Sequence, residues 1–117
     1  MVLAEPRPYH PDPRVIVNVT SARGPHARKE LERAARLAWG RIVSCYEATA
    51  GGAKGIVEFE LVVAGTGKVT EARRTRSTFR NEKLEGCLSR ALTGVTMPQA
   101  RARSIAQAQI HLAPGDP

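Results

Sequence analysis

The most constraining feature of this chain is an apolar-polar alternation that leads into a glycine-rich turn. Over residues 55–64, Val57, Phe59, Leu61 and Val63 alternate with positions that include Glu58 and Glu60. A period of two is typical of a half-buried strand. Residues 65–67 read Gly-Thr-Gly, which suits a hairpin turn. Residues 68–77 are therefore predicted to return as an antiparallel strand, with a bulge near Thr70 or Glu71 where the apolar spacing becomes odd.

Apolar residues at helical spacing flank this hairpin on both sides. They predict one helix over about residues 25–50 and a second over about residues 81–93, with Asn81 as a candidate N-cap. Each apolar stripe contains one cysteine. We therefore expect Cys45 and Cys87 to face the core.

Two further segments complete the predicted sheet. Residues 14–20 are rich in valine and isoleucine and predict a short strand. Residues 104–112 alternate apolar residues with Gln and His, which predicts a last strand with one polar face. The order is β-α-β-β-α-β. It predicts an α+β fold, a small antiparallel sheet with two helices packed on one face.

Proline-rich sequences mark both ends of the chain. Four of its eight prolines fall within residues 1–13, which predicts an extended, linker-like leader. Residues 14–113 are predicted to form the single domain, and residues 114–117 a short tail. Residues 1–13 lack the apolar stretch of a signal peptide. If the protein works outside the cytoplasm, its targeting signal is therefore expected in a part of the protein that this chain does not contain.

The net charge of +7, from 18 Lys and Arg against 11 Asp and Glu, favours anionic partners in general. The basic residues fall into three runs instead of one tract, which is typical of solvated helix and strand faces. The alternative is an anionic-ligand patch on the return strand and the turn after it, formed by Arg73, Arg74, Arg76 and Arg80.

The sequence contains no recognisable catalytic or cofactor motif. The Gly-Thr-Gly-Lys run ending at Lys68 lacks both the first glycine and the final Ser or Thr of a phosphate-binding loop. The histidines and cysteines are too scattered for metal-ligand spacing. Glu58 and Glu60 are interpreted as the outward face of a strand and not as an acid-base pair. We expect a binding protein, not an enzyme, with neither metal nor cofactor.

The two cysteines project from predicted neighbouring helices. Such helices can bring Cα atoms within the roughly 4.4–6.8 Å that a disulfide requires. We predict a bond between Cys45 and Cys87, and two buried free thiols are the alternative. The bond would stabilise the fold by on the order of 4 kcal/mol at most. It would also indicate an oxidising compartment.

Several short sequences occur in an order that resembles the C-terminal domain of TonB-type energy-transducing proteins. Along the chain they are Cys45-Tyr46-Glu47, Gly55-Ile56-Val57-Glu58-Phe59-Glu60-Leu61, Gly67-Lys68-Val69-Thr70-Glu71-Ala72, Ser77-Thr78, Leu84-Glu85-Gly86-Cys87-Leu88 and Met97-Pro98. The resemblance covers about residues 25–113. It is closest to the cysteine-paired version found in AgmX-type gliding-motility proteins.

This resemblance implies a periplasmic interaction domain, tethered to the inner membrane through a Pro-rich linker, that passes force or a signal to an outer-membrane or other envelope protein. It also implies that the last strand lies at the sheet edge and receives an extended partner segment by strand addition. The predicted edge residues are Ser104, Ile105, Gln107, Gln109 and His111. Residues 14–20 are expected to occupy the same edge when no partner is bound. A homodimer is compatible with this arrangement.

The competing function is binding of nucleic acid, or of an anionic polymer such as peptidoglycan, through the basic residues. RNA-binding sheets of related strand order display aromatic side chains on which bases stack. Here Phe59 is expected to face the core, and the other aromatic residues are dispersed. Nucleic acid is therefore the less favoured partner, and a steep salt dependence of binding would identify it.

Overall fold

The domain is a four-stranded antiparallel sheet with three helices on one face, so the predicted α+β class is confirmed. The computed structural model describes residues 13–115, and the other residues of the predicted leader and tail lie outside this range. In chain order the elements are β1 (Arg14–Arg23), α1 (Arg28–Arg36), α2 (Trp39–Thr49), β2 (Gly55–Val63), β3 (Val69–Ser77), α3 (Glu82–Thr93) and β4 (Ser104–Ala113). The strand order is β1-β4-β2-β3.

The helix predicted over residues 25–50 is two helices, so the prediction of two helices in total is wrong. α1 and α2 are separated at Leu37 and Ala38, whose N–H groups donate to carbonyls three residues earlier at 3.0 and 3.1 Å. Such short-range bonds tighten the backbone and redirect the helix axis. The apolar spacing hides the break, because Ala38 remains buried in register while Leu37 and Trp39 on either side of it are exposed.

The hairpin of β2 and β3 is confirmed. Its turn is closed by the N–H of Ala64 donating to the carbonyl of Lys68 at 2.8 Å. Gly67 has a φ of +95°, and a Cβ there would collide with the carbonyl of Met97. The predicted bulge falls at Thr70, and a second, unpredicted register shift falls at Thr75.

The core is aliphatic and lies between the sheet and the three helices. Alternate residues of β2 and β4 are fully buried against Leu31, Ile42, Leu84 and Leu88 of the helices. Tyr46 is the largest buried side chain, and its hydroxyl donates to the carbonyl of Ala53 in the connection between α2 and β2. A small aliphatic core of this kind benefits from additional covalent ties.

The N-terminus of α3 is capped as predicted. The Asn81 side chain accepts a hydrogen bond from the N–H of Leu84 at 3.0 Å, while the Glu85 carboxylate accepts one from the N–H of Asn81 at 3.2 Å. This reciprocal arrangement satisfies two backbone donors that the helix leaves unpaired. It fixes the start of the helix that carries Cys87.

Candidate partner-binding edges and basic residues

A disulfide joins α2 to α3. Cys45 and Cys87 are 42 positions apart in sequence, and their Cα atoms are 5.7 Å apart. The predicted bond is therefore confirmed. Stable disulfides persist in oxidising, non-cytoplasmic compartments, and this bond indicates such a compartment for the domain.

The strand predicted to be the free edge lies inside the sheet. β4 pairs with β1 on one side and with β2 on the other. This corrects the position expected for Ser104, Ile105, Gln107, Gln109 and His111. The reason is that β1 covers β4, with Val17 opposite Ile110 and Val19 opposite Ala108, and all four of these side chains are buried in the core. The occupant expected over residues 14–20 is therefore present, and it continues to Arg23 because a bulge at Thr20 restores pairing.

The polar side chains of β4 lie on the open face of the sheet, where they bond to the carboxylates of β2. Gln109 donates to Glu58 at 2.9 Å, and Gln107 donates to Glu60 at 3.3 Å. Nε2 of His111 lies 2.7 Å from the Oε1 atom of Gln109. These side-chain hydrogen bonds order the open face of the sheet. They also assign Glu58 and Glu60 to cross-strand contacts, in agreement with their interpretation as an outward strand face.

The outer edge of the sheet at β1 is engaged by side chains of α1. The N–H of Val19 donates to the Glu32 carboxylate at 2.8 Å. Arg28 donates to the Val19 carbonyl at 2.8 Å, and Arg36 donates to the Val17 carbonyl at 3.0 Å. An edge strand normally leaves such groups unpaired. Here one acceptor and two donors from α1 stand where a neighbouring strand would place its own backbone groups.

We call these three side chains, Arg28, Glu32 and Arg36, the α1 clasp. Glu32 lies one helical turn from each arginine and forms ion pairs with them at 3.4 and 3.3 Å. Its side chain is 17% exposed, whereas the arginines are 42% and 55% exposed. Spacing of four residues places all three on one helix face. The sequence therefore contains a signal for the ion pairs but none for their contact with β1.

The opposite edge, β3, is protected in a different way. Ser89 of α3 donates to the outward carbonyl of Ala72 at 2.8 Å. The two bulges at Thr70 and Thr75 bend the strand, and exposed arginines line it. Bulges, charges and a covering helix are all devices that discourage pairing at an edge. β1 is thus the more regular of the two edges.

The four arginines predicted as an anionic-ligand patch do not act as four free cations. Arg73 pairs with Glu60 at 3.2 Å on the open sheet face, whereas Arg74 pairs with Glu85 of α3 at 3.1 Å. Arg76 lies opposite Glu58 in the β2–β3 register. Arg80 is in the turn before α3, with a φ of 50°.

A buried contact that the sequence did not reveal is made by His26, which lies in the connection between β1 and α1. His26 Nδ1 is 2.6 Å from the Ser104 hydroxyl, and His26 Nε2 is 2.9 Å from the Pro98 carbonyl. The Ser104 oxygen also accepts the backbone N–H of His26 at 3.0 Å. A carbonyl can only accept, so Nε2 carries a proton in this contact. These bonds fix the β1–α1 connection against the start of β4.

No group of three or more His, Cys, Asp or Glu residues is arranged to hold a metal ion within residues 13–115. In the same range no helix has the length and apolar character needed to cross a membrane.

Comparison of the chain with protein-family models, with curated proteins and with solved structures finds no match.

Proposed function

We propose that this chain is a non-enzymatic, periplasmic interaction domain of a TonB-like envelope complex, which binds an extended segment of an outer-membrane or other envelope protein along the outer edge of β1. The observation that supports the proposal is the α1 clasp. Its side chains satisfy the outward carbonyl of Val17 and both outward backbone groups of Val19, which are among the groups that an added strand would use.

The backbone geometry indicates which groups a partner strand would meet. In an antiparallel pair, the backbone N–H and C=O groups of successive residues point alternately toward the neighbouring strand and away from it. Because the backbone groups of Val17 and Val19 point away from β4, those of Val15 point away as well. Within the described residues no partner is recorded for the N–H groups of Val15 and Val17. Strand addition can therefore begin there and extend by displacing the clasp.

Addition outside β1 costs less free energy than replacement of β1. Replacement would expose Val17 and Val19, which are buried, at about 1.5–3 kcal/mol each, besides the ladder to β4. Addition outside β1 exchanges three hydrogen bonds from partly exposed side chains, each worth about 1 kcal/mol, for backbone bonds of similar strength. The favoured complex therefore keeps β4 in the interior.

The compartment and the tether support the same function. The disulfide between Cys45 and Cys87 indicates an oxidising environment, and the periplasm satisfies this requirement. The Pro-rich residues 1–13 have the composition of a stiff spacer directly before β1. Tension on that spacer would reach the partner through the strand to which the partner is paired.

Site-specific photo-crosslinking in cells that produce the full-length protein tests this proposal. A photoreactive amino acid at Ser21, which is exposed on β1, should crosslink to one segment of an envelope protein. The same amino acid at Ala48, which is exposed on α2, is the control and should not crosslink to that segment. Equal crosslinking from both positions would refute edge binding, and crosslinks to nucleic acid or peptidoglycan alone would favour the competing function.

A further inference from the structure

A second surface is a groove between α2 and α3, and it shares no residue with the β1 edge. Its volume is about 620 Å³. The disulfide lies along it, and the lining residues are Leu37, Gly40, Arg41, Ser44, Cys45, Cys87, Arg90 and Ala91. The groove is open along its length, whereas small-molecule sites usually enclose most of their ligand. It suits a protein segment better.

Leu37 makes one end of this groove strongly apolar. Its side chain is 81% exposed, the highest value among the large apolar residues that the structure describes. A single exposed leucine needs no explanation on its own. Leu37, however, also lines two adjoining hollows, one toward Met97 and Pro98 and one toward Gly94. The apolar surface therefore continues past the groove.

The polar rim of the groove is cationic. Arg41 and Arg90 are exposed, and no salt bridge is recorded for either of them within residues 13–115. The Arg41 guanidinium lies over the C-terminal end of α3, where a Cβ at Gly94 would come within 2.5 Å of it. By contrast, both arginines of the α1 clasp pair with Glu32. The groove thus presents two arginines without a carboxylate partner among the described residues, both at the C-terminal end of α3, beside an apolar surface.

Gly40 is a glycine that the backbone does not require. It lies in α2 with no positive φ, and a Cβ built on it meets nothing within 4 Å. A helical glycine costs roughly 0.5–1 kcal/mol relative to alanine. At this position the absence of a side chain leaves open space at the groove wall, so the backbone of another segment can approach closely.

We propose that this groove docks an acidic amphipathic segment of a partner protein. An apolar side chain of the segment would pack on Leu37 and the disulfide, while two flanking carboxylates would pair with Arg41 and Arg90. The desolvated apolar contact supplies affinity, and the charges select the sign and register of the segment. This binding mode is independent of strand addition at β1.

Labelled synthetic peptides and the oxidised domain test the groove. The probe is a short helical peptide with leucine on one face and glutamate beside it, compared with one version carrying lysine for glutamate and another carrying alanine for leucine. Only the first should bind and shift the NMR amide signals of Gly40, Ser44 and Ala91. Its Kd should rise at least about tenfold in the Arg41→Glu/Arg90→Glu variant, corresponding to about 1.4 kcal/mol.

Two further variants separate the groove from the overall charge. Arg76→Glu/Arg80→Glu changes the net charge equally but lies elsewhere, so the Kd should change by less than about threefold. Gly40→Trp should fill the groove and abolish binding while the protein remains folded by circular dichroism. Equal losses in both double variants, tight binding of the alanine-for-leucine peptide, or dimerisation that the groove variants abolish would each overturn the proposal of an acidic partner segment.

Discussion

The carboxylate of Glu32 accepts a hydrogen bond from the backbone N–H of Val19 at 2.8 Å. Glu32 thereby joins a helix to the outermost strand of the sheet, and it also pairs with the two arginines of the α1 clasp. Its loss would leave one backbone donor and two guanidinium groups without this acceptor. The edge of the sheet and the stability of the domain therefore depend on the same side chain.

Glu32→Ala should lower the free energy of unfolding by about 1–3 kcal/mol, since it leaves the N–H of Val19 without a protein acceptor. Glu30→Ala, on an exposed residue of the same helix, is the matched control and should change stability by about 0.5 kcal/mol or less. Chemical denaturation of both variants gives the comparison. Equal losses would mean that the hydrogen bond to β1 contributes nothing beyond helix propensity.

Reduction of the disulfide should lower the free energy of unfolding by about 2–4 kcal/mol, because the bond between Cys45 and Cys87 closes a long loop. The measurement compares thermal unfolding of oxidised and reduced protein. The Cys45→Ala/Cys87→Ala variant is the control and should unfold like the reduced protein with or without reductant. An unchanged unfolding temperature on reduction would show that noncovalent packing alone holds α2 against α3.

Ser104→Ala should destabilise the domain by about 1–3 kcal/mol, because the hydroxyl both accepts from the backbone of His26 and contacts its ring within the core. Ser44→Ala, on the exposed side of α2, should have little effect. Urea unfolding measures both. A small loss for Ser104→Ala would indicate that water replaces the hydroxyl, contrary to its burial.

Two glycines should respond to alanine in opposite directions. Gly40→Ala should raise the free energy of unfolding by roughly 0.5–1 kcal/mol, since its Cβ meets open space in a helix. Gly24→Ala should lower it by about 1–3 kcal/mol, because Gly24 has a φ of +117° and its Cβ would lie 2.5 Å from the Ser104 hydroxyl. Destabilisation by Gly40→Ala would contradict the open geometry of the groove wall.

The elements of this fold were predictable from sequence where a local pattern determines them. The alternation in β2 and the glycine turn identified the hairpin, and the apolar stripes placed Cys45 and Cys87 on helices close enough to bond. The break at Leu37 was not predictable. The apolar spacing continues through it, and the direction of α2 is set by packing against α3.

The position of β4 required information that no local pattern carries. A strand buried on one face has the same apolar-polar alternation at an edge and in the interior of a sheet. The alternation shows which face of the sheet a side chain occupies, and not which strands lie beside it. The same limit applies to the α1 clasp. Its four-residue spacing indicates a helix face, while its contact with Val17 and Val19 follows only from the docking of β1 beside β4.

Backbone amide hydrogen exchange at β1 tests the proposed edge most directly. The probe is the partner segment identified by crosslinking from Ser21, added as a synthetic peptide to the oxidised domain. We predict that exchange of the Val15 and Val17 N–H groups slows at least about tenfold, equivalent to roughly 1.4 kcal/mol of protection, while the protection between β1 and β4 remains unchanged. Tight peptide binding with unchanged exchange at Val15 and Val17, or with loss of protection between β1 and β4, would contradict addition at this edge.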